Sequence, residues 1–117
     1  MMVGIDIESI PRIEHLLRNK PKIIKRFFSI YEWEYAEKKA KMSQTLTGIW
    51  CAKEAVVKAF SSVEPVFVTD VKLKHNSNGV PYIFSIKNEK LLKEYKIDIS
   101  ISHSKDYAIA VAMIKFF

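Results

Sequence analysis

At 117 residues, 49% hydrophobic and 27% charged, the chain has the composition of a soluble globular protein and the length of one domain spanning 1–117. No window is apolar for long enough to span a membrane, Met1 to Ile7 is too short and too interrupted by Asp6 to be a signal peptide, and no Cys/His cluster has zinc spacing. Nineteen basic against thirteen acidic residues give a net charge of +6, which suits anionic partners, and the single Cys51 excludes an intrachain disulfide and fits a reducing cytoplasm.

Met1 to Ile7 alternates, with Val3, Ile5 and Ile7 on one face and Met2, Gly4 and Asp6 on the other, and reads as a short strand with Asp6 near its end. Ser9 caps a helix predicted from Ile10 to Arg18, with Pro11 in its first turn and Ile10, Ile13, Leu16 and Leu17 as its apolar stripe. Pro21 restarts the chain into a helical patch around Ile23, Ile24, Phe27 and Phe28, ringed by Arg18, Lys20, Lys22, Lys25 and Arg26. Those cations form either a solvated face or a docking patch for an acidic partner. Ser29 with Glu32 is a capping box, opening a helix to about Lys41.

The stretch from Thr45 to Phe60 reads as the central helix. At about 100° per residue, Leu46, Ile49, Trp50, Val56, Val57 and Phe60 form a broad apolar stripe. Cys51, Ala52, Ala55 and Ala59 form a second face of small residues, and Thr47, Glu54, Lys58 and Ser61 share one narrow polar sector. Glu54 and Lys58 stand in the favourable i,i+4 order for a helix-stabilising ion pair. Lys53 projects from the middle of the apolar stripe, so it must snorkel, find a partner, or meet another subunit.

Beyond the helix the period changes. Phe67 to Lys74 alternates as a half-exposed strand, Asn76-Ser77-Asn78-Gly79 is a turn, and Pro81 to Ile86 returns as a second strand. Asn88 to Tyr95 is a short helix or loop. Ile97 to Ser102 alternates again, His103 to Asp106 breaks the pattern, and Tyr107 to Phe116 is apolar on both phases, predicting a strand buried on both sides. Helices first and strands after predict an α+β fold with a mostly antiparallel sheet.

Four polar residues stand at the ends or narrow faces of apolar elements: Asp6, Glu54, Lys58 and His103. Each has a bland explanation as a cap, a salt bridge or a structural histidine. Together, two carboxylates suit a hard cation such as Mg²⁺ or Mn²⁺, and lysine and histidine suit a phosphate ester. A different reading takes the basic cluster from Arg18 to Arg26, with Phe27, Phe28 and Tyr31, as a small nucleic-acid-binding surface, but it leaves Asp6 and Glu54 without a role.

Gly4-Ile5-Asp6-Ile7 with Arg12, Arg26-Phe27-Phe28-Ser29 with Glu32, Ala52-Lys53-Glu54-Ala55 with Lys58-Ala59-Phe60, Gly79-Val80-Pro81 and Ser100-Ile101-Ser102-His103 occur in this order. The ordered set resembles the holo-acyl-carrier-protein synthases, the small 4′-phosphopantetheinyl transferases. The resemblance implies that family's fold, with the N-terminal strand and helices around a long central helix on the sheet, and a Mg²⁺-dependent transfer of phosphopantetheine from coenzyme A to a serine of an acyl carrier protein. It implies Asp6 and Glu54 as metal ligands, and Glu54 as the base for the serine proton, directly or through a water. Lys58 and His103 are then placed at the phosphates, Gly79 and Pro81 at the coenzyme A site, and Arg12 and Arg26 at the acidic carrier. It also implies a homotrimer with sites between subunits, an arrangement that would occupy Lys53. The chain departs from the family in three ways: it has Ile49 where arginine is common, it lacks an additional glycine before Asp6, and it has Ser61 to Pro65 where a glycine-rich turn is usual.

Overall fold

The computed structural model describes all of residues 1–117. Strand β1 (Met2–Ser9) leads into helix α1 (Ile10–Asn19), a short α2 (Pro21–Lys25), α3 (Ile30–Glu37) and the long α4 (Met42–Phe60). A 3₁₀ turn (Val68–Asp70) precedes β2 (Val71–His75) and β3 (Pro81–Ile86), and α5 (Lys90–Glu94) precedes β4 (Tyr95–His103) and β5 (Tyr107–Phe116).

The local signals act where they were read. Ser9 Oγ accepts from Arg12 N at 3.2 Å to cap α1. The capping box at α3 is reciprocal, with Ser29 Oγ accepting from Glu32 N at 3.1 Å and Glu32 Oε1 from Ser29 N at 2.9 Å. At the hairpin, Gly79 has φ 79° and Asn76 Oδ1 accepts from the amides of Asn78 and Val80. Three boundaries differ. Helix α3 ends at Glu37 rather than near Lys41, and α4 begins at Met42 rather than Thr45, both in polar sequence without a strong stop or start. The expected strand from Phe67 is delayed to Val71, because Asp70 Oδ2 accepts from Phe67 N at 3.0 Å and closes a turn.

The strands form two antiparallel sheets, β1-β5-β4 and the hairpin β2-β3. Across the larger sheet, Asp6, Ala110 and Ile101 stand in one register row, and Glu8, Ala108 and His103 in the next. Helix α4 lies over this face with its small residues, Ala55 and Ala59 against Gly4 and Cys51 Sγ donating to the Ala108 carbonyl at 3.5 Å, and Leu46, Ile49, Val56 and Phe60 share one buried core with Ala108, Ala110, Ala112 and Ile114. Each fully buried aliphatic or aromatic side chain contributes about 1.5–3 kcal/mol. Strand β1 approaches the helix so closely that a Cβ on Gly4 would stand 1.8 Å from the Ala55 carbonyl oxygen.

The expectation that β5 is buried on both sides does not hold within one chain. All the helices that pack on this sheet cover a single face, so Tyr107, Ile109 and Met113 are exposed, beside Val3, Ile5 and Ile7 of β1. The result is a continuous apolar sheet face.

Candidate active site

Asp6 and Lys58 are brought together by the strand–helix contact that Gly4 permits. Lys58 Nζ donates to Asp6 Oδ1 at 2.9 Å and to the Ile5 carbonyl at 3.1 Å. It makes no ion pair with Glu54, so the i,i+4 bridge expected along the helix is replaced by one between elements. The hydrogen bond to Asp6 raises the Lys58 pKa. Asp6 Oδ2 is buried, with the Cys51 thiol near the carboxylate but no hydrogen bond of ordinary geometry to that oxygen.

Glu54 is half-buried on the same side of α4. Burial raises its pKa above the ordinary carboxylate value, and the nearby charge of Asp6 adds to the rise. Burial together with Asp6 also pushes the Cys51 thiol up to about 12, which keeps it protonated and inert. No group of three or more His, Cys, Asp and Glu side chains gathers here, so a cation would rest on Asp6 and Glu54, with its remaining oxygens from ligand or water. The unpartnered Oδ2 and the elevated Glu54 carboxyl are what a hard divalent cation would satisfy.

The other two residues of Glu54's narrow sector do different work. Thr47 is buried and donates to the Ser43 carbonyl, and the Ser61 hydroxyl donates to the Lys58 carbonyl at 2.8 Å.

His103 lies elsewhere. With Thr45, Gly48, Ile49, Pro81 and Ser100 it lines a cavity of about 310 Å³. Gly48 admits it, since a Cβ there would meet Ile101 Cγ2 at 2.9 Å and His103 Nε2 at 3.5 Å. Val80 and Pro81 line this cavity, whereas Gly79 stands behind them in the turn. Thr45 and Ile49 lie on the opposite side of α4 from Glu54 and Lys58, by helical periodicity. The helix therefore stands between the acid–lysine cluster and His103, and one chain does not bring all four together.

Arg12 pairs with Glu8 at 3.0 Å and lines an apolar groove of about 170 Å³ with Ile13, Leu16, Ile23 and Phe27. Arg26 is exposed and free of ion pairs, at the next loop. Glu8 was not singled out in the sequence. Its signal was the two-residue spacing from Asp6, which puts it on the same strand face, where its charge also raises Glu54's pKa. Lys53 is not at a surface at all: it is 1% exposed and bonded to the fully buried Glu32 at 2.8 Å. A subunit boundary is not needed to account for it.

A family model described as the 4′-phosphopantetheinyl transferase superfamily matches residues 2–112. The chain belongs to this superfamily. It is 40% identical to a holo-[acyl-carrier-protein] synthase of Sulfurovum sp. over 99% of this chain and 98% of that one. It is 34% identical to a synthase of the same name from Clostridium tetani, over 97% and 94%. Its fold is similar to that of Helicobacter pylori holo-[acyl-carrier-protein] synthase in complex with coenzyme A, with a TM-score of 0.82, 33% identity and coverage of 97% and 100%. The nucleic-acid reading has no support beside these. The aromatics it needs are engaged in packing, Phe28 against Trp33 and Trp50 and Tyr31 on Tyr35, and Arg18 is paired with Glu14.

Proposed function

We propose that this transferase moves the 4′-phosphopantetheine group of coenzyme A to a serine of an apo-acyl carrier protein, giving holo-carrier and adenosine 3′,5′-bisphosphate. The observation that carries the reading is the match along the whole chain to holo-[acyl-carrier-protein] synthases, one of them solved with coenzyme A.

In this reading Asp6 and Glu54 hold Mg²⁺, with Mn²⁺ as the other candidate. The buried, unpartnered Asp6 Oδ2 supports that assignment. A bound divalent cation would neutralise pyrophosphate charge and favour its cleavage. Glu54 takes the serine proton, directly or through a water. The serine oxygen–phosphorus bond forms as a pyrophosphate phosphorus–oxygen bond breaks, and the electron pair leaves on adenosine 3′,5′-bisphosphate. Lys58, more than half exposed beyond its bond to Asp6, meets the phosphate charge that develops. His103 donates a hydrogen bond to a phosphate, and the Gly79–Pro81 segment borders the coenzyme A site. Arg12 and Arg26 face the acidic carrier, whose apolar side chains fit the groove beneath Arg12.

Two observations support sites shared in a homotrimer. Helix α4 separates His103 from Glu54 and Lys58, and a second copy would complete the set. The apolar face of Val3, Ile5, Ile7, Ile109 and Met113 offers the surface on which copies meet. No helix is long and apolar enough to cross a membrane, and the reduced, buried Cys51 supports a cytoplasmic setting.

The test is incubation with apo-carrier, coenzyme A and Mg²⁺, read by mass spectrometry. One added phosphopantetheine on the carrier serine is the expected product. A folded protein that adds none across several carriers and metals would overturn the reading.

A further inference from the structure

The buried pair Glu32–Lys53 ties together four parts of the chain. Lys53 Nζ, on α4, donates to Glu32 Oε1 at 2.8 Å and to the Phe27 carbonyl at 2.7 Å. Glu32 Oε1 also accepts from Ser29 N, and its Oε2 accepts from Leu73 N at 2.7 Å, on β2. Glu32 is 0% and Lys53 1% exposed. Stability is a weak reason for such a pair, because desolvation offsets much of the attraction and an apolar replacement often does as well. What the pair does supply is geometry: it fixes the backbone of residues 27–29 relative to the turn of α4 that carries Glu54.

The segment held in this way is a shared wall. The Phe27 ring packs edge-on against Trp50, with centroids 5.4 Å apart. Phe27 and Trp50 line both the apolar groove under Arg12 and the cavity of about 340 Å³ that contains Glu54. Arg26 precedes Phe27 directly. A partner docked in the groove and a group reacting beside Glu54 are therefore separated by one aromatic pair, whose backbone anchor is the ammonium next to Glu54 in the chain.

We infer that Glu32 and Lys53 are positioning residues, which hold the Arg26–Phe27 wall so that a carrier protein docked against Arg12 and Arg26 presents its serine in register with Glu54. This rests on the transferase reading above. The pair touches neither substrate; it acts through Phe27. A wall that moves by about 1 Å misaligns the incoming serine, and misplacement on that scale costs up to about 100-fold in rate.

The test separates positioning from stability. Lys53→Met alone leaves a buried carboxylate without its partner and is expected to unfold readily. Glu32→Gln/Lys53→Met removes both charges and the hold on the Phe27 carbonyl; the Gln carbonyl accepts from Ser29 N or from Leu73 N but not from both, so Phe27→Ala carries the test where the double variant does not fold. In the folded double variant kcat/KM for apo-carrier is expected to fall about 10-fold or more, with the KM for coenzyme A within about twofold of wild type. Phe27→Ala, at a position already 37% exposed, is expected to give the same split without depending on the pair's stability. Wild-type kcat/KM for the carrier in the folded double variant or in Phe27→Ala, or a loss matched by an equal rise in the KM for coenzyme A, overturns the inference. A wild-type protein that transfers nothing overturns the transferase reading and this inference with it; an active wild type with unchanged variants overturns this inference alone.

Discussion

Gly4→Ala tests the contact from which the acid–lysine cluster follows. The added Cβ would lie 1.8 Å from the Ala55 carbonyl oxygen and 2.7 Å from Ala59 N, where ordinary contact begins at 3.4 Å. Both obstacles are backbone of α4, so no side chain can swing aside and β1 must lift from the helix. Overpacking typically costs 1–3 kcal/mol, and a clash with two backbone atoms belongs at the upper end, about 3 kcal/mol. For a domain of this size that lowers the melting midpoint by about 10 °C. Asp6 lies two residues further along the displaced strand, so its 2.9 Å bond to Lys58 is lost as well, and transfer is expected to fall with stability. Gly48→Ala is the control, because its closest neighbour at 2.9 Å is the tip of the Ile101 side chain, which can move; about 1 kcal/mol is expected there. Urea denaturation of both variants measures the difference. A Gly4→Ala variant within about 0.5 kcal/mol of wild type would refute the close strand–helix contact.

Asp6→Asn and Glu54→Gln should each reduce transfer by about 100-fold or more, and each should abolish the rise in melting midpoint that Mg²⁺ gives the wild type. An undiminished Mg²⁺ effect in both would remove the metal assignment. The His75 pKa is lowered from 6.5, chiefly by burial and further by Lys39, with Glu32 opposing. His75 is thus neutral when folded while the unfolded chain takes up the proton, so its contribution is present above pH 6.5 and lost as the pH falls below it. His75→Phe, which keeps the stack on Tyr35 at 3.7 Å, should flatten that part of the stability profile, and parallel profiles would contradict it. Mixing Glu54→Gln subunits with His103→Ala subunits tests the proposed homotrimer: with sites at the junctions, a mixed ring of three would contain one intact junction, so an equal mixture should recover about a quarter of wild-type activity. No recovery from exchanged subunits would place both residues in one chain's site.

The elements legible in the sequence were those with a local cause. Ser29 with Glu32 and Asn76 to Gly79 each carry their own hydrogen bonds within four residues, and both form as read. The apolar periodicity of α4 correctly assigned its burial, and the alternation of β1 correctly put Asp6 opposite Val3, Ile5 and Ile7. What was not legible depended on contacts distant in the chain. Lys53 finds Glu32, 21 residues away, and no spacing rule pairs them. Apolar residues on both phases of β5 predicted burial on both sides, but the pattern does not say whether the second cover is part of the same chain. The site divided in the same way: Asp6, Glu54, Lys58 and His103 could be named, yet their grouping was set by which side of α4 each element packs on.

The partner Lys58 selects explains the raised pKa of Glu54. An exposed i,i+4 pair on a helix is worth only about 0.3–0.5 kcal/mol. Asp6, 14% exposed, and the adjacent Ile5 carbonyl offer the ammonium two acceptors at once. The lysine therefore serves the more buried acid, and Glu54 is left half-buried beside another carboxylate without a counter-charge of its own. In the absence of metal that arrangement penalises the folded state and raises the Glu54 pKa. Without metal, Glu54→Gln should consequently be at least as stable as wild type at pH 7, although inactive. The sign follows from the raised pKa: charged Glu54 opposes folding, and the wild type gains on the variant only as the pH falls and the carboxyl protonates. A urea midpoint for metal-free Glu54→Gln below that of wild type at pH 7 would mean that Glu54 is held by a favourable partner, and the account of it as a carboxylate without a counter-charge would fail.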